Sequence, residues 1–300
     1  MTRLFSPRAL PVAVAVAAAL GSTSALADTH IKAVASFSIL GDVVRAVGGD
    51  AVEVTDLIPA NGDPHEFEPS PADSRLLKEA DVTFLSGEGL ENWFERLAKA
   101  SGSTKAPVVV SEGISTHTMD EDGETVIDPH VWNAVPNVEH WVGAIETALI
   151  KADPEDAATF KANADAYRTK LQKLDGWIRD ELANIPKDQR KVLTSHDAFG
   201  YYAKAYGVTF LSPLGLSTDA DASAAEVASL IKQIQAEGVK TYFFENSNDP
   251  RLVKQIASAT GAQSGGELYP ESLSGEDGPA STYLKLMHYN TEMLVKAMKK

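Results

Sequence analysis

Residues 52–86 read VEVTDLIPANGDPHEFEPSPADSRLLKEADVTFLS, and this stretch decides the fold. Runs rich in β-branched residues at its two ends predict strands over residues 52–58 and 82–86. Between them, Ser70 is placed to cap a helix, and Asp73, three residues later, completes a capping box. A strand, a helix and a second strand in close succession indicate a parallel sheet with helices packed on its faces.

The same alternation continues on both sides of this stretch. Further strands are predicted over residues 31–36, 107–110, 191–195, 208–211 and 241–245, and helices over 39–47, 91–100, 198–206, 223–236, 250–260 and 280–298. The pattern therefore predicts an α/β protein with two parallel-sheet lobes, over residues 28–150 and 187–300.

The segment between the lobes, residues 151–186, predicts one long helix. Its apolar residues recur at spacings of three, four or seven, which places them on one helical face: Phe160, Tyr167, Leu171, Leu174, Ile178, Leu182 and Ile185. About thirty residues at about 1.5 Å each form a rod of roughly 45 Å. Because the segment is not rich in Gly, Ser or Pro, we expect a stiff connection between the lobes. A ligand site is expected in the cleft between them.

The first 27 residues have the features of a secretory leader. Arg3 and Arg8 precede a short apolar run, and Ala25-Leu26-Ala27 matches the small-x-small pattern of a cleavage site. The run over residues 9–20 is shorter than the roughly 20 residues that a membrane-spanning helix needs. We therefore predict export and cleavage, with an uncleaved membrane anchor as the alternative.

The amino-acid composition indicates where the protein works and which classes of partner it can bind. The sequence contains no cysteine, so neither a disulfide nor a cysteine-linked lipid is expected, which predicts a free periplasmic protein that is not inserted in a membrane. Residues 1–27 hold two of the 27 basic residues and none of the 42 acidic ones. The mature chain therefore has 25 basic and 42 acidic residues, which give a net charge of −17. Such a charge repels nucleic acid and anionic lipid, and it suits cations, although an acidic surface is usually a solubility feature.

Three of the seven histidines stand at the loops where a ligand would bind. His65 and His130 share the pattern Asp-Pro-His-x-aromatic, in which the proline holds each histidine at a rigid corner. His196 follows a predicted strand, at the sheet edge where α/β proteins bind ligands. Three such imidazoles and one carboxylate would suit zinc, although a single loop histidine is more often a surface residue or a turn partner. No HExxH, CxxC, GxSxG or P-loop motif indicates catalysis.

Five motifs resemble one family across nearly the whole mature chain. They are GDPHEFEPSPAD (62–73), DPHVW (128–132), SHDAFGYYAKAYGV (195–208), FFENSNDP (243–250) and ELYPESLSGEDGPASTYLKLMHYN (267–290). They are similar, in the same order, to those of the metal-specific solute-binding proteins of ABC transporters, which bind zinc or manganese. The resemblance implies two α/β lobes bridged by one long helix, in agreement with the pattern above.

The resemblance also implies a set of metal ligands. It makes His65, His130 and His196 ligands, and it places Glu271 where the family has aspartate. Asp277, in the same loop, is an alternative fourth ligand, and Glu66 is a third candidate. Members that bind manganese carry glutamate at the position of His196, whereas zinc members carry histidine. The resemblance therefore implies one Zn²⁺ per chain, bound as cargo.

The implied function is capture of zinc and its delivery to an inner-membrane ABC permease, by a protein that is not an enzyme. The implied partner is that permease, with a periplasmic zinc donor as a further candidate, and the chain is expected to act as a monomer. Manganese binding by the same fold and a zinc-dependent hydrolase remain as alternatives. The acidic segment 112–127, with His117 at its centre, fits either a solvated loop or a weak cation-collecting lid.

Overall fold

A computed structural model describes residues 1–2, 30–121, 124–215 and 223–299. The predicted leader, residues 1–27, lies outside the described residues except for its first two positions, so its cleavage stays a prediction. Within the described ranges, no helix has both the length and the apolar character needed to cross a membrane.

The first half of the chain forms a parallel sheet of four strands. The strands are β1 (Ile31–Phe37), β2 (Val52–Ile58), β3 (Val82–Leu85) and β4 (Val108–Val109), in the order β2-β1-β3-β4. The accompanying helices are α1 (Ser38–Gly48), α2 (Pro71–Glu79) and α3 (Phe94–Ser101). The predicted capping box at Ser70 and Asp73 is present at the start of α2.

The acidic segment before His130 is an ordered hairpin at its described residues. Strands β5 (Thr118–Glu121) and β6 (Glu124–Ile127) pair antiparallel, and the side chain of Met119 is buried. The sequence did not predict these strands, because polar or charged residues occupy five of their eight positions. The segment is therefore not simply a solvated loop.

Two long helices connect the sheets. Helix α4 covers Val135–Ala152 and helix α5 covers Ala157–Ala183. The 27 residues of α5 span roughly 40 Å, and its predicted apolar face is buried along its whole length. Side chains of α1, α4, α5 and α9 belong to one continuous hydrophobic core. The connecting helix is thus packed against both lobes, which favours a stiff arrangement.

The second half forms another parallel sheet, in the order β10-β9-β7-β8. Its strands are β7 (Lys191–Leu193), β8 (Thr209–Leu211), β9 (Thr241–Glu245) and β10 (Gln263–Leu268). Its helices are α6 (Gly200–Tyr206), α7 (Ala224–Glu237), α8 (Arg251–Thr260) and α9 (Tyr283–Met298). Strand β10 was not predicted, because its sequence QSGGEL lacks an apolar alternation and it lies at an edge.

The fold therefore matches the predicted class, an α/β protein with two parallel-sheet lobes. The helix α5 lies inside the predicted connecting segment 151–186, and the division into domains at those residues stays a prediction. The carboxyl ends of β2 and β7 lead directly into the loops that carry His65 and His196, which brings these loops toward the space between the lobes.

Candidate metal centre

Two of the predicted histidines, His65 and His130, lie at tight corners of the chain. In both Asp-Pro-His turns, the aspartate two residues earlier accepts a hydrogen bond from the histidine backbone. The His65 N–H donates to Asp63 Oδ1 at 2.7 Å, and the His130 N–H donates to Asp128 Oδ1 at 2.9 Å. These Asx-type turns fix the backbone at each imidazole, beyond the restriction that the prolines impose.

The three imidazoles and one carboxylate converge between the lobes. His65 Nε2 lies 3.1 Å from His130 Nε2 and 3.1 Å from Glu271 Oε2. Glu271 Oε2 is also 3.3 Å from His196 Nε2 and 3.9 Å from His130 Nε2. One donor atom from each of the four residues falls within 4.8 Å of all the others.

The four donor groups are secluded from solvent. His130, His196 and Glu271 are fully buried, and the His65 side chain is 9% exposed. Among the described residues, no hydrogen bond reaches His196 Nε2 or Glu271 Oε2, although imidazole nitrogens lie close to that oxygen. A buried polar atom without a partner is costly, so this arrangement favours a bound ligand at these atoms.

The separations suit a small divalent cation. Bonds of about 2.0–2.1 Å at tetrahedral angles place donor atoms roughly 3.3 Å apart. The distances between the four donor atoms bracket that value. The residues present therefore could hold one metal ion with three nitrogens and one oxygen.

A second layer of carboxylates and hydroxyls orients these donors. Asp128 Oδ1 lies 2.8 Å from His130 Nδ1, and Glu245 Oε2 lies 2.5 Å from His196 Nδ1. Each buried carboxylate accepts the Nδ1–H, which leaves Nε2 free to face a metal. The Ser247 hydroxyl donates to Glu271 Oε1 at 2.7 Å.

Sequence reasoning did not identify Asp128, Glu245 or Ser247 as functional residues. A signal for Asp128 was available, since an aspartate stands two residues before histidine in both turns. Glu245 and Ser247 carry no such signal, because they meet the site only when β9 lies beside β7 in the sheet.

The loop that carries Glu271 is fixed from the opposite lobe. The backbone oxygen of Pro270 accepts hydrogen bonds from Trp132 Nε1 at 2.7 Å and Asn133 Nδ2 at 3.0 Å. The two donor residues lie two and three positions after His130 in the chain. The fourth donor residue is therefore held in place relative to the first lobe as well as the second.

The electrostatics of the group are those of an ion-paired cluster. Burial alone would lower the pKa of His196, but the carboxylates of Glu245 and Glu271 outweigh it and hold that pKa well above its ordinary value. Burial alone would raise the pKa of Glu271, but His196 and His65 hold it well below the usual range. In the metal-free protein, a proton on His196 thus takes the place of a bound cation beside these carboxylates.

The remaining candidates lie elsewhere. Asp277 and Glu66 are exposed and do not belong to the group of four. His140 Nε2 bonds the backbone oxygen of Glu112 at 2.8 Å, and the His288 ring packs against Trp177 in a tilted arrangement. His117 lies 3.0 Å from the second oxygen of Asp128 and so approaches the centre indirectly.

Comparison with known proteins gives the family. The model of the family described as "ZnuA: Zinc-uptake complex component A periplasmic" matches residues 33–297. A manganese-binding lipoprotein, MntA of Halalkalibacterium halodurans, is 32% identical over 269 residues, covering 89% of this chain and 88% of the relative. PsaA of Streptococcus mitis, a manganese ABC transporter substrate-binding lipoprotein, is 30% identical and covers 97% of this chain and 96% of its own.

A solved structure agrees with these matches. The periplasmic zinc-binding protein TroA from Treponema pallidum superposes with a TM-score of 0.84 at 27% identity, over 90% of this chain and 99% of its own. Proteins of this family bind solutes for ABC transporters and are not enzymes, which removes the hydrolase alternative. Both the fold and the sequence therefore show that the chain belongs to the family of metal-binding, periplasmic solute-binding proteins of ABC transporters.

Proposed function

We propose that this protein captures one Zn²⁺ per chain with His65, His130, His196 and Glu271 and delivers it to an ABC permease. The observation that carries the proposal is the convergence of three buried Nε2 atoms and one carboxylate oxygen within 4.8 Å. The metal is cargo, so the site must bind it tightly and also release it.

The donor chemistry supports zinc as the cargo. Imidazole nitrogen is a borderline donor that suits zinc, whereas manganese prefers carboxylate, carbonyl and water oxygens. Three nitrogens and one oxygen make a four-coordinate set typical of zinc. Across most nitrogen and oxygen sites, Zn²⁺ also binds more tightly than Mn²⁺.

Manganese is the second candidate cargo, and a specific observation favours it. MntA and PsaA, the two relatives described above, are both named for manganese. The TroA structure is named for zinc. Relatives of similar sequence identity to this chain are thus named for different metals. The assignment of the cargo therefore rests on the donor set of this chain.

We also infer that the chain works outside the cytoplasm, as a free periplasmic monomer. The two relatives are lipoproteins, but this sequence contains no cysteine that could carry a lipid. Mass spectrometry of the protein from a periplasmic extract tests this inference. A mature chain that begins at Asp28 is expected, and retention of residues 1–27 would contradict the cleaved leader.

Competition titration of the metal-free protein against a chromophoric chelator tests the cargo. We expect one zinc per chain and an affinity for zinc at least tenfold higher than for manganese. His130→Ala should weaken zinc binding strongly, whereas Asp277→Ala, in the same loop as Glu271, should bind like the wild type. Equal or tighter manganese binding would overturn the zinc assignment, and a damaging Asp277→Ala with a silent Glu271→Ala would move the fourth ligand.

A further inference from the structure

The two oxygens of the Glu271 carboxylate have different surroundings. Oε2 faces the three imidazoles at 3.1–3.9 Å. Oε1 accepts a 2.7 Å hydrogen bond from the hydroxyl of Ser247, in the loop that follows β9. The residue is fully buried, so solvent does not compete for either oxygen.

This asymmetry sets the number of metal bonds that Glu271 can make. With Oε1 engaged by Ser247, only Oε2 is available, and the site offers four donors. If Oε1 also turned toward the ion, the carboxylate would be bidentate and the site would offer five donors, two of them oxygens. Four donors suit zinc, whereas harder cations such as Mn²⁺ favour more oxygen ligands.

The loop after β9 is well placed to hold Ser247 in this position. The next residue, Asn248, donates from Nδ2 to Glu245 Oε2 at 2.7 Å, and Glu245 in turn accepts from His196. The same short loop therefore orients the side-chain partners of both His196 and Glu271. A shift of Ser247 would require this whole connection to move.

We propose that Ser247 is a specificity-determining residue, which keeps Glu271 monodentate and so favours zinc over manganese. The inference rests on the proposed function and deepens it, since it concerns the choice of metal at the same site. Without the hydroxyl, no other donor within the described part of the chain reaches the buried Oε1, and coordination of the metal is the route by which it regains a partner.

Ser247→Ala is the direct test. We expect the ratio of zinc to manganese affinity, measured by competition titration, to fall about tenfold, at the low end of the effects seen for residues around metal ligands. Bound Co²⁺ provides a spectroscopic readout, because a four-coordinate site absorbs much more strongly in the visible than a five- or six-coordinate one. The variant should lose this intensity.

Two matched variants separate the hydroxyl from general packing. Ser247→Thr keeps the hydroxyl and should retain the wild-type selectivity and cobalt spectrum. Ser272→Ala removes a buried hydroxyl from the residue next to Glu271. That hydroxyl bonds the Ser38 hydroxyl and the Pro59 backbone oxygen, and not the Glu271 carboxylate. This variant should also leave both readouts unchanged. Circular dichroism of each metal-free variant checks that it folds.

The outcomes distinguish this inference from the proposed function. If the wild type binds one zinc but Ser247→Ala keeps its selectivity and its cobalt spectrum, the role of Ser247 is refuted and the carrier function stands. An equal loss in Ser272→Ala would also refute it, because packing alone would then explain the effect. If the wild type binds no metal, the proposed function itself fails.

Discussion

The two halves of the metal centre are held in place by different kinds of contact. In the first lobe, His65 and His130 are fixed by aspartates only two residues earlier in the chain. In the second lobe, the partner of His196 is 49 residues away, and the partner of Glu271 is 24 residues away. The first half is therefore built by local turns, and the second half depends on the correct packing of a whole sheet.

The largest expected effect comes from Glu245→Gln, which is compared with Asp128→Asn to test this difference. Both oxygens of Glu245 accept hydrogen bonds: Oε1 from the backbone of Ser195 and Oε2 from His196 and Asn248. A glutamine must therefore point its NH₂ group at another donor. We expect zinc affinity to fall by up to about 100-fold, the upper end of the range for residues that hydrogen-bond to metal ligands.

Asp128→Asn should cost less. Its amide oxygen can still accept from His130, while the NH₂ group faces His117 Nε2, which is able to accept in its other tautomer. We expect a loss nearer tenfold, by the same competition titration. An equal or larger loss for Asp128→Asn would show that the two halves do not differ in this way.

The same difference explains how much could be predicted from sequence. The capping box of α2 and the Asp-Pro-His corners are local patterns, and the structure has both. Strand β10 was missed because its sequence, QSGGEL, contains two glycines and only one apolar residue. It therefore lacks the apolar alternation on which strand prediction depends. The roles of Glu245 and Ser247 were missed because they arise from strand order, which local spacing does not encode.

The pH dependence of zinc binding should also be concentrated in the second half. In the metal-free protein, a raised pKa at His196 contributes stability that is fully present below its unfolded value of about 6.5 and is lost as pH rises through the higher folded value. The lowered pKa of Glu271 contributes stability that is lost only when pH falls through the lower folded value. Zinc must therefore displace a proton near neutral pH.

We expect zinc affinity to fall at least tenfold between pH 7.5 and 5.5, since each displaced proton changes affinity about tenfold per pH unit. Glu245→Gln should make this dependence shallower, because it removes a carboxylate that raises the pKa of His196. Asp128→Asn should keep the wild-type slope. An affinity that is flat over this range, or a slope that responds to Asp128 alone, would contradict the comparison.

The smallest effect concerns His117, which supports the first half by a contact that is not a local turn. The hairpin β5–β6 begins just after His117, whose ring packs on Tyr201 of the other lobe at a centroid distance of 4.1 Å. Its Nε2 lies 3.0 Å from Asp128 Oδ2, while Asp128 Oδ1 serves His130. His117 therefore reaches the proposed ligand His130 through one intermediate carboxylate.

His117→Phe keeps the ring on Tyr201 but removes the donor to Asp128. We expect zinc affinity to fall by less than about tenfold, because Asp128 still holds His130 through two hydrogen bonds to Oδ1. His140→Phe is the matched control, since His140 bonds the backbone oxygen of Glu112, six residues before the hairpin, and its hydrogen bond does not involve Asp128. It should bind zinc like the wild type, and an equal loss in both variants would mean that the hairpin as a whole, rather than the His117 donor, supports the site. A loss well above tenfold in His117→Phe alone would show that the first half also depends on a distant partner, because local turns would then be insufficient to hold His130.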